Sequence, residues 1–111
     1  MKSSELNFKI VLDDKNVPEK IVWDATDKPA DANSETKAIA VALWDDIQQN
    51  TMRMDLWTKD MNIDDMKRFC VNAIGGIADT LQSATNDGKM AEKIHQLCQD
   101  LVKHMQENPT K

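Results

Sequence analysis

Arg53-Met54-Asp55-Leu56-Trp57-Thr58-Lys59-Asp60-Met61-Asn62-Ile63-Asp64-Asp65-Met66-Lys67-Arg68-Phe69 is where the chain changes its period. Up to Leu56 the apolar residues (Met52, Met54, Leu56) recur at every second position, the spacing of a strand. From Met66 through Phe69, Cys70 and Ala73 they recur at helical spacing. A strand therefore runs into a helix across a short turn. Parity turns Met52, Met54 and Leu56 to one side of that strand and Arg53, Asp55 and Trp57 to the other. The core has no evident use for the second set, nor for Lys59 and Asp60 in the turn.

On the C-terminal side, Asn62 reads as a helix cap, with Asp64 and Asp65 in the first turn where the dipole favours acids. The helix continues through Ile74, Ile77, Ala78 and Leu81. Gly75-Gly76 lies inside it at a cost of about 1 kcal/mol per glycine. Asn86-Asp87-Gly88 ends it, and a last helix carries Met90, Ile94, Leu97, Cys98, Leu101 and Met105 on one stripe. On the N-terminal side, Glu5 to Val11 and Lys20 to Thr26 alternate as strands around the turn-rich stretch Asp13 to Glu19. As a hairpin, Leu12 would face Ile21, Ile10 would face Trp23 and Phe8 would face Ala25. The other face would then pair Lys9 with Asp24 and Asp13 with Lys20.

The stretch between these halves decides the topology. Asp27 to Ser34 is a loop by composition. Ser34 could cap a helix running from Glu35 to about Gln49, whose middle, Ala38 to Trp44, is apolar all round and so calls for cover on two sides. Ile39, Val41 and Leu43 also alternate, so a buried strand is the other reading. The helical reading gives an α+β fold, β-β-α-β-α-α, in one domain spanning residues 1–111. Its three-stranded antiparallel sheet would have the order 2-1-3, packed with three helices.

Composition narrows function by exclusion. At 111 residues the chain has the size of one domain, and 41% hydrophobic with 30% charged residues suits an ordered one. A net charge of −5 with two arginines opposes binding to a nucleic-acid backbone or through a polybasic membrane anchor. No signal-peptide pattern or spanning run is readable, so membrane insertion is not expected and the cytoplasm is the expected compartment. Cys70 and Cys98 read as reduced thiols on apolar helical faces.

The chemistry is sparse. His95, Cys98 and His104 share a helix, but a zinc site needs about four ligands and Cys98 belongs to the apolar stripe. Asp45-Asp46 and Asp64-Asp65 are neighbours that do not face each other on a helix. No phosphate loop or nucleophile elbow is present. No catalytic residue, metal ligand or cofactor is therefore assigned.

The chain resembles the gliding-motility proteins of GldC type over nearly its whole length. The resemblance rests on Val17-Pro18-Glu19-Lys20-Ile21 with Trp23 and Ala25, Lys37-Ala38, Trp44-Asp45 and Arg53. It continues in Asp55-Leu56-Trp57-Thr58-Lys59-Asp60-Met61, Asp64 to Lys67 with Phe69, Asp79-Thr80 and Ala84-Thr85. Asn62 stands where the family pattern has proline, and Gly75-Gly76 where bulkier apolar residues are expected. The resemblance implies a small accessory of surface gliding, with protein partners in the motility or secretion apparatus and no catalytic residues.

Two functions follow as expectations. The first is a non-enzymatic interaction protein whose partner-binding residues are Arg53, Asp55, Trp57, Lys59 and Asp60, with Trp57 as the anchor; this leaves room for a homo-oligomer. The alternative is a small-molecule- or metal-binding enzyme without a recognisable motif.

Overall fold

A computed structural model describes residues 1–110. They form two compact units, Met1–Met61 and Asn62–Lys111. The first is all β and the second all α.

In the first unit, β1 (Leu6–Leu12), β2 (Pro18–Ala25) and the two-residue β3 (Glu35–Thr36) form an antiparallel sheet in that order. β4 (Ala38–Asp45) and β5 (Asn50–Trp57) form a second, two-stranded antiparallel sheet. Only Lys37, at a bend, separates β3 from β4, so the chain turns there from the first sheet into the second. The core of this unit is Ile21, Ala38 and Ile39 with the buried hydroxyl residue Thr58.

Three sequence expectations are corrected here. The segment 35–49 is not a helix: it is β3, β4 and the turn into β5, which makes two helices instead of three. The β-branched residues Ile39 and Val41 alternate with alanines, and this pattern prevails over the helix propensity of the alanines. The turn is built by Asp45, whose Oδ1 accepts the backbone N–H groups of Ile47 and Gln48 at 2.9 and 3.1 Å. Gln49 closes it with a left-handed φ of 55°.

The strand order 2-1-3 fails with the helix. Without a crossover there is nothing to carry the chain back to β1, so the next strand pairs with β2 (Ile21 opposite Thr36, Val22 opposite Glu35) and the single three-stranded sheet becomes two sheets. The third correction is to the hairpin register. Ile10 faces Ile21, Phe8 faces Trp23 and Leu6 faces Ala25, with an irregularity between Val11 and Leu12.

The turn is tighter than its composition suggested. Asp13 N–H donates to the Val17 carbonyl at 2.9 Å, and Asp13 Oδ1 accepts Lys15 and Val17 N–H at 2.8 and 3.0 Å. Asn16 takes a left-handed φ of 62°. The shift is two residues, so every side chain keeps the face its parity assigned. The expected Lys9–Asp24 pair is lost: Asp24 instead meets Lys28 at 3.6 Å, and the Lys28 ammonium lies 5.3 Å from the centre of the Trp23 ring.

The second unit is an antiparallel helical hairpin of α1 (Ile63–Thr85) and α2 (Gly88–Glu107). Asn62 caps α1 by accepting the N–H groups of Asp64 and Asp65, and Asn86 ends it in a left-handed conformation. Asp87 caps α2 by accepting Met90 N–H. The buried residues are small, Ala78 on α1 and Ala91 on α2. Cys98 lies half-buried with its Sγ 3.8 Å from the Val71 carbonyl oxygen, whereas Cys70 is exposed and not a core thiol.

α1 runs unbroken through Gly75 and Gly76. A Cβ at Gly75 would sit 3.9 Å from Cys98 Sγ, an ordinary contact, and one at Gly76 would meet nothing within 4 Å. Steric need therefore explains neither glycine. Gly76→Ala should raise stability by about 0.5–1 kcal/mol by removing backbone freedom from the unfolded chain. Urea unfolding monitored by helical circular dichroism measures this, and a lower midpoint would show that Gly76 faces a close neighbour.

Candidate interaction surface

The β4–β5 ribbon positions the residues singled out around Trp57. Its register pairs Ala38 with Trp57, Ala40 with Asp55, Ala42 with Arg53 and Trp44 with Thr51 on one face. On the opposite face Ile39 meets Leu56, Val41 meets Met54 and Leu43 meets Met52. The parity read from the sequence holds, with Arg53, Asp55 and Trp57 on one face and the methionines on the other, but the methionine face is not core: Met52 and Met54 are exposed.

The first face is a row of alanines with a tryptophan at each end. Trp57 is 53% exposed and Trp44 61% exposed. Six residues of strand place them about 20 Å apart. Between them the Arg53 guanidinium grips Asp55 with two bonds, Nε to Oδ2 at 3.1 Å and Nη2 to Oδ1 at 2.8 Å. That hydrogen bonding raises the Arg53 pKa further above its ordinary value. Because Ala40 and Ala42 lie opposite, no side chain across the ribbon covers the pair.

Lys59 and Asp60 do a different job. They follow the end of β5 and tie the turns of this unit together. Lys59 Nζ contacts Asp13 Oδ2 at 3.1 Å and Glu19 Oε1 at 3.0 Å. Asp60 accepts the Thr58 hydroxyl at 2.6 Å and pairs with Lys37 at 3.2 Å. A shallow hollow of about 280 Å³ opens beside Trp57, between Asn16, Val17 and Pro18 on one side and Asp55 and Lys59 on the other. It is smaller than the roughly 300–1,000 Å³ of a small-molecule site and suits an inserted side chain better.

Trp44 is the surface residue that sequence reasoning missed. The helical reading of residues 35–49 puts it inside a helix. The signal was present in the alternation of Ile39, Val41 and Leu43, which puts Trp44 on the alanine side of a strand. Its indole N–H donates to Asp46 Oδ1 at 3.3 Å, leaving the ring face open.

The residues of the enzymatic alternative lie on the helical unit. His95 is 3.3 Å from Asp79 and borders a shallow hollow with Cys98, Gln99 and Val102. His104 lies in the last turn of α2. Among the described residues no group of three or more His, Cys, Asp or Glu is placed to hold a metal ion, and no helix is long and apolar enough to cross a membrane.

A family model described as gliding motility-associated protein GldC-like matches residues 18–107 of the chain. No curated protein and no solved structure matches. The matched span begins at β2 and includes the whole β4–β5 ribbon and both helices.

The charged link between the turns predicts a pH dependence. The backbone N–H groups of Val17 and Lys15, then the Lys59 ammonium, hold the Asp13 carboxyl below its ordinary 3.8. The Thr58 hydroxyl and Lys37 do the same to Asp60. A carboxylate depressed in the folded state adds stability above its unfolded pKa and loses it as pH falls through the folded value. The Lys59 pKa is raised, first by Glu19 and then by Asp13, so its share persists until pH exceeds 10.5. The stability gap between wild type and Asp13→Asn should thus be present at neutral pH and close below pH 3.8. Denaturant midpoints across acid pH check it, and a gap that persists in acid would show that Asp13 acts without its charge.

Proposed function

The chain belongs to the GldC-like family, and we propose that it serves gliding motility as a non-enzymatic, cytoplasmic interaction protein that docks a protein partner on the alanine–tryptophan face of the β4–β5 ribbon. Family membership ties it to the process. The observation that supports the mode of action is the ribbon face itself, with Trp44 and Trp57 exposed at its ends around the uncovered Arg53–Asp55 pair. Tryptophan and arginine are the residues most enriched at binding hot spots, and a flat row of alanines lets a partner approach the backbone closely.

In this reading Trp57 is the anchor and the hollow beside it receives a side chain of the partner. Arg53 and Asp55 supply the polar rim. Lys59 holds the Asn16–Pro18 turn in place through Asp13 and Glu19, and Asp60 holds Lys37 and Thr58, so both shape the surface more than they bind through it.

Trp57→Ala tests the proposal. With half of its surface exposed, Trp57 should cost less on removal than the 3–5 kcal/mol of a buried aromatic, so the variant folds. Loss of a hot-spot tryptophan weakens binding by about 2 kcal/mol or more, roughly thirtyfold in affinity. A gliding strain carrying Trp57→Ala as its only copy should hold normal protein levels, lose surface spreading, and fail to retain the partner that the wild-type protein captures. Normal spreading and normal capture by a folded Trp57→Ala protein would refute the docking face.

A further inference from the structure

The β4–β5 ribbon has an outer edge that is open from Thr51 to Asp55; its Trp57 end is closed by the Asn16–Pro18 turn, whose Pro18 carbonyl accepts the Lys59 N–H at 2.9 Å. β5 pairs with β4 alone, and their register runs without a bulge from Asn50 to Trp57. Natural edges are blunted by proline, charged side chains, bulges or a covering loop; the charges of this strand, Arg53 and Asp55, neutralise each other. Asn50 to Trp57 contains no proline, lysine or glycine. Its apolar face is open as well, with Met52 54% and Met54 56% exposed. A two-stranded ribbon in this state is marginal by itself in water.

Backbone alternation shows which groups point outward. Thr58 N–H donates to the Lys37 carbonyl at 2.8 Å, one residue beyond the β4–β5 ladder and in register with it. Leu56, Met54 and Met52 therefore direct their N–H and C=O groups toward β4. Thr51, Arg53, Asp55 and Trp57 direct theirs to the outer edge.

We propose that this edge pairs antiparallel with the β5 edge of a second copy of the chain, with the twofold axis at Met54. Three central registers satisfy the outward backbone groups, centred on Arg53, Met54 or Asp55. Centring on Arg53 or Asp55 sets like charges directly opposite each other, which is destabilising. Centring on Met54 sets Arg53 opposite the partner's Asp55, and twofold symmetry repeats that pair. On the apolar face Met54 then meets the partner's Met54 and Met52 meets the partner's Leu56. The sequence Arg-Met-Asp is thus self-complementary about its centre, which selects a second copy over an unrelated strand. The two ribbons become one four-stranded sheet with an alanine–tryptophan face on each half. This dimer does not depend on the proposed motility partner, because its readout is the mass of the purified protein.

Sedimentation equilibrium should give about 25 kDa, twice the 12.6 kDa of one chain. Arg53→Asp and Asp55→Arg should each be predominantly monomeric, with the dissociation constant raised at least about tenfold by like charges in contact. An equimolar mixture of these two variants should dimerise again, because each then faces opposite charges across the edge. A purely structural role for the Arg53–Asp55 bond within one chain would not be rescued by mixing. Met54→Cys, with Cys70 and Cys98 replaced by serine, should form a disulfide-linked dimer on mild oxidation. Residues opposite in a non-hydrogen-bonded pair lie about 4.5 Å apart between Cα atoms, within disulfide reach. A wild-type protein that is monomeric at all concentrations, single variants that remain dimers, a mixture that stays monomeric, or Met54→Cys that does not cross-link would each overturn the proposal.

Discussion

The β unit turns on the backbone bonds of Thr58 and Lys59. Thr58 is buried, its N–H donates to Lys37 at 2.8 Å and its hydroxyl donates to Asp60 at 2.6 Å. One residue later, Lys59 N–H donates to the Pro18 carbonyl at 2.9 Å. Consecutive amides thus point to opposite neighbours, the first to the segment linking β3 and β4, the second to the start of β2. Buried polar groups of this kind must be satisfied or cost stability. With both satisfied, the end of β5 is held against both sheets of the unit. The Lys59 side chain then reaches Asp13 and Glu19, so the turn that sets the β1–β2 register is tied to the strand that carries Trp57.

How much of this was legible in the sequence varied by segment, for physical reasons. The change of period between Leu56 and Met66 located β5 and α1, and Asn62 and Asn86 bound α1 as expected, while the capping of α2 by Asp87 came from the structure. Side-chain faces followed from parity wherever a strand was recognised, even in the β1–β2 hairpin whose register was two residues off. Register depends on the number of residues a turn consumes, and that depended on Asp13 bonding two backbone amides and on Asn16 adopting a left-handed φ. Composition marks such a stretch as a turn without showing where it closes.

Ala38 to Trp44 failed differently. Its alanines favour helix and its Ile, Val and Leu positions alternate, so local propensity and binary pattern pointed to different structures. The tertiary setting chose the strand, since β5 presents the apolar set Met52, Met54 and Leu56 to pair with Leu43, Val41 and Ile39. From that one misreading followed the extra helix, the wrong strand order and the loss of Trp44 from the candidate surface. The Trp57 side of the surface was legible because its assignment needed only the parity of β5.

The same segment leaves apolar surface that the fold does not cover. Ala38 to Trp44 is apolar all round, and such a segment needs cover on two sides whether it is helix or strand. In the strand form one side is Ile39, Val41 and Leu43 and the other is the alanine row ending in Trp44. Only Ala38 and Ile39, nearest the Thr58 junction, are buried. Moving away from that junction, cover falls off: Val41 is half-buried, and Leu43 and Trp44 are exposed. The ribbon is thus anchored at one end and bare at the other. Burying apolar surface is worth roughly 25 cal/mol per Å², so a face of this composition gains from any well-fitted cover. The gradient from Thr58 outward puts the uncovered apolar surface at the end of the ribbon farthest from that junction.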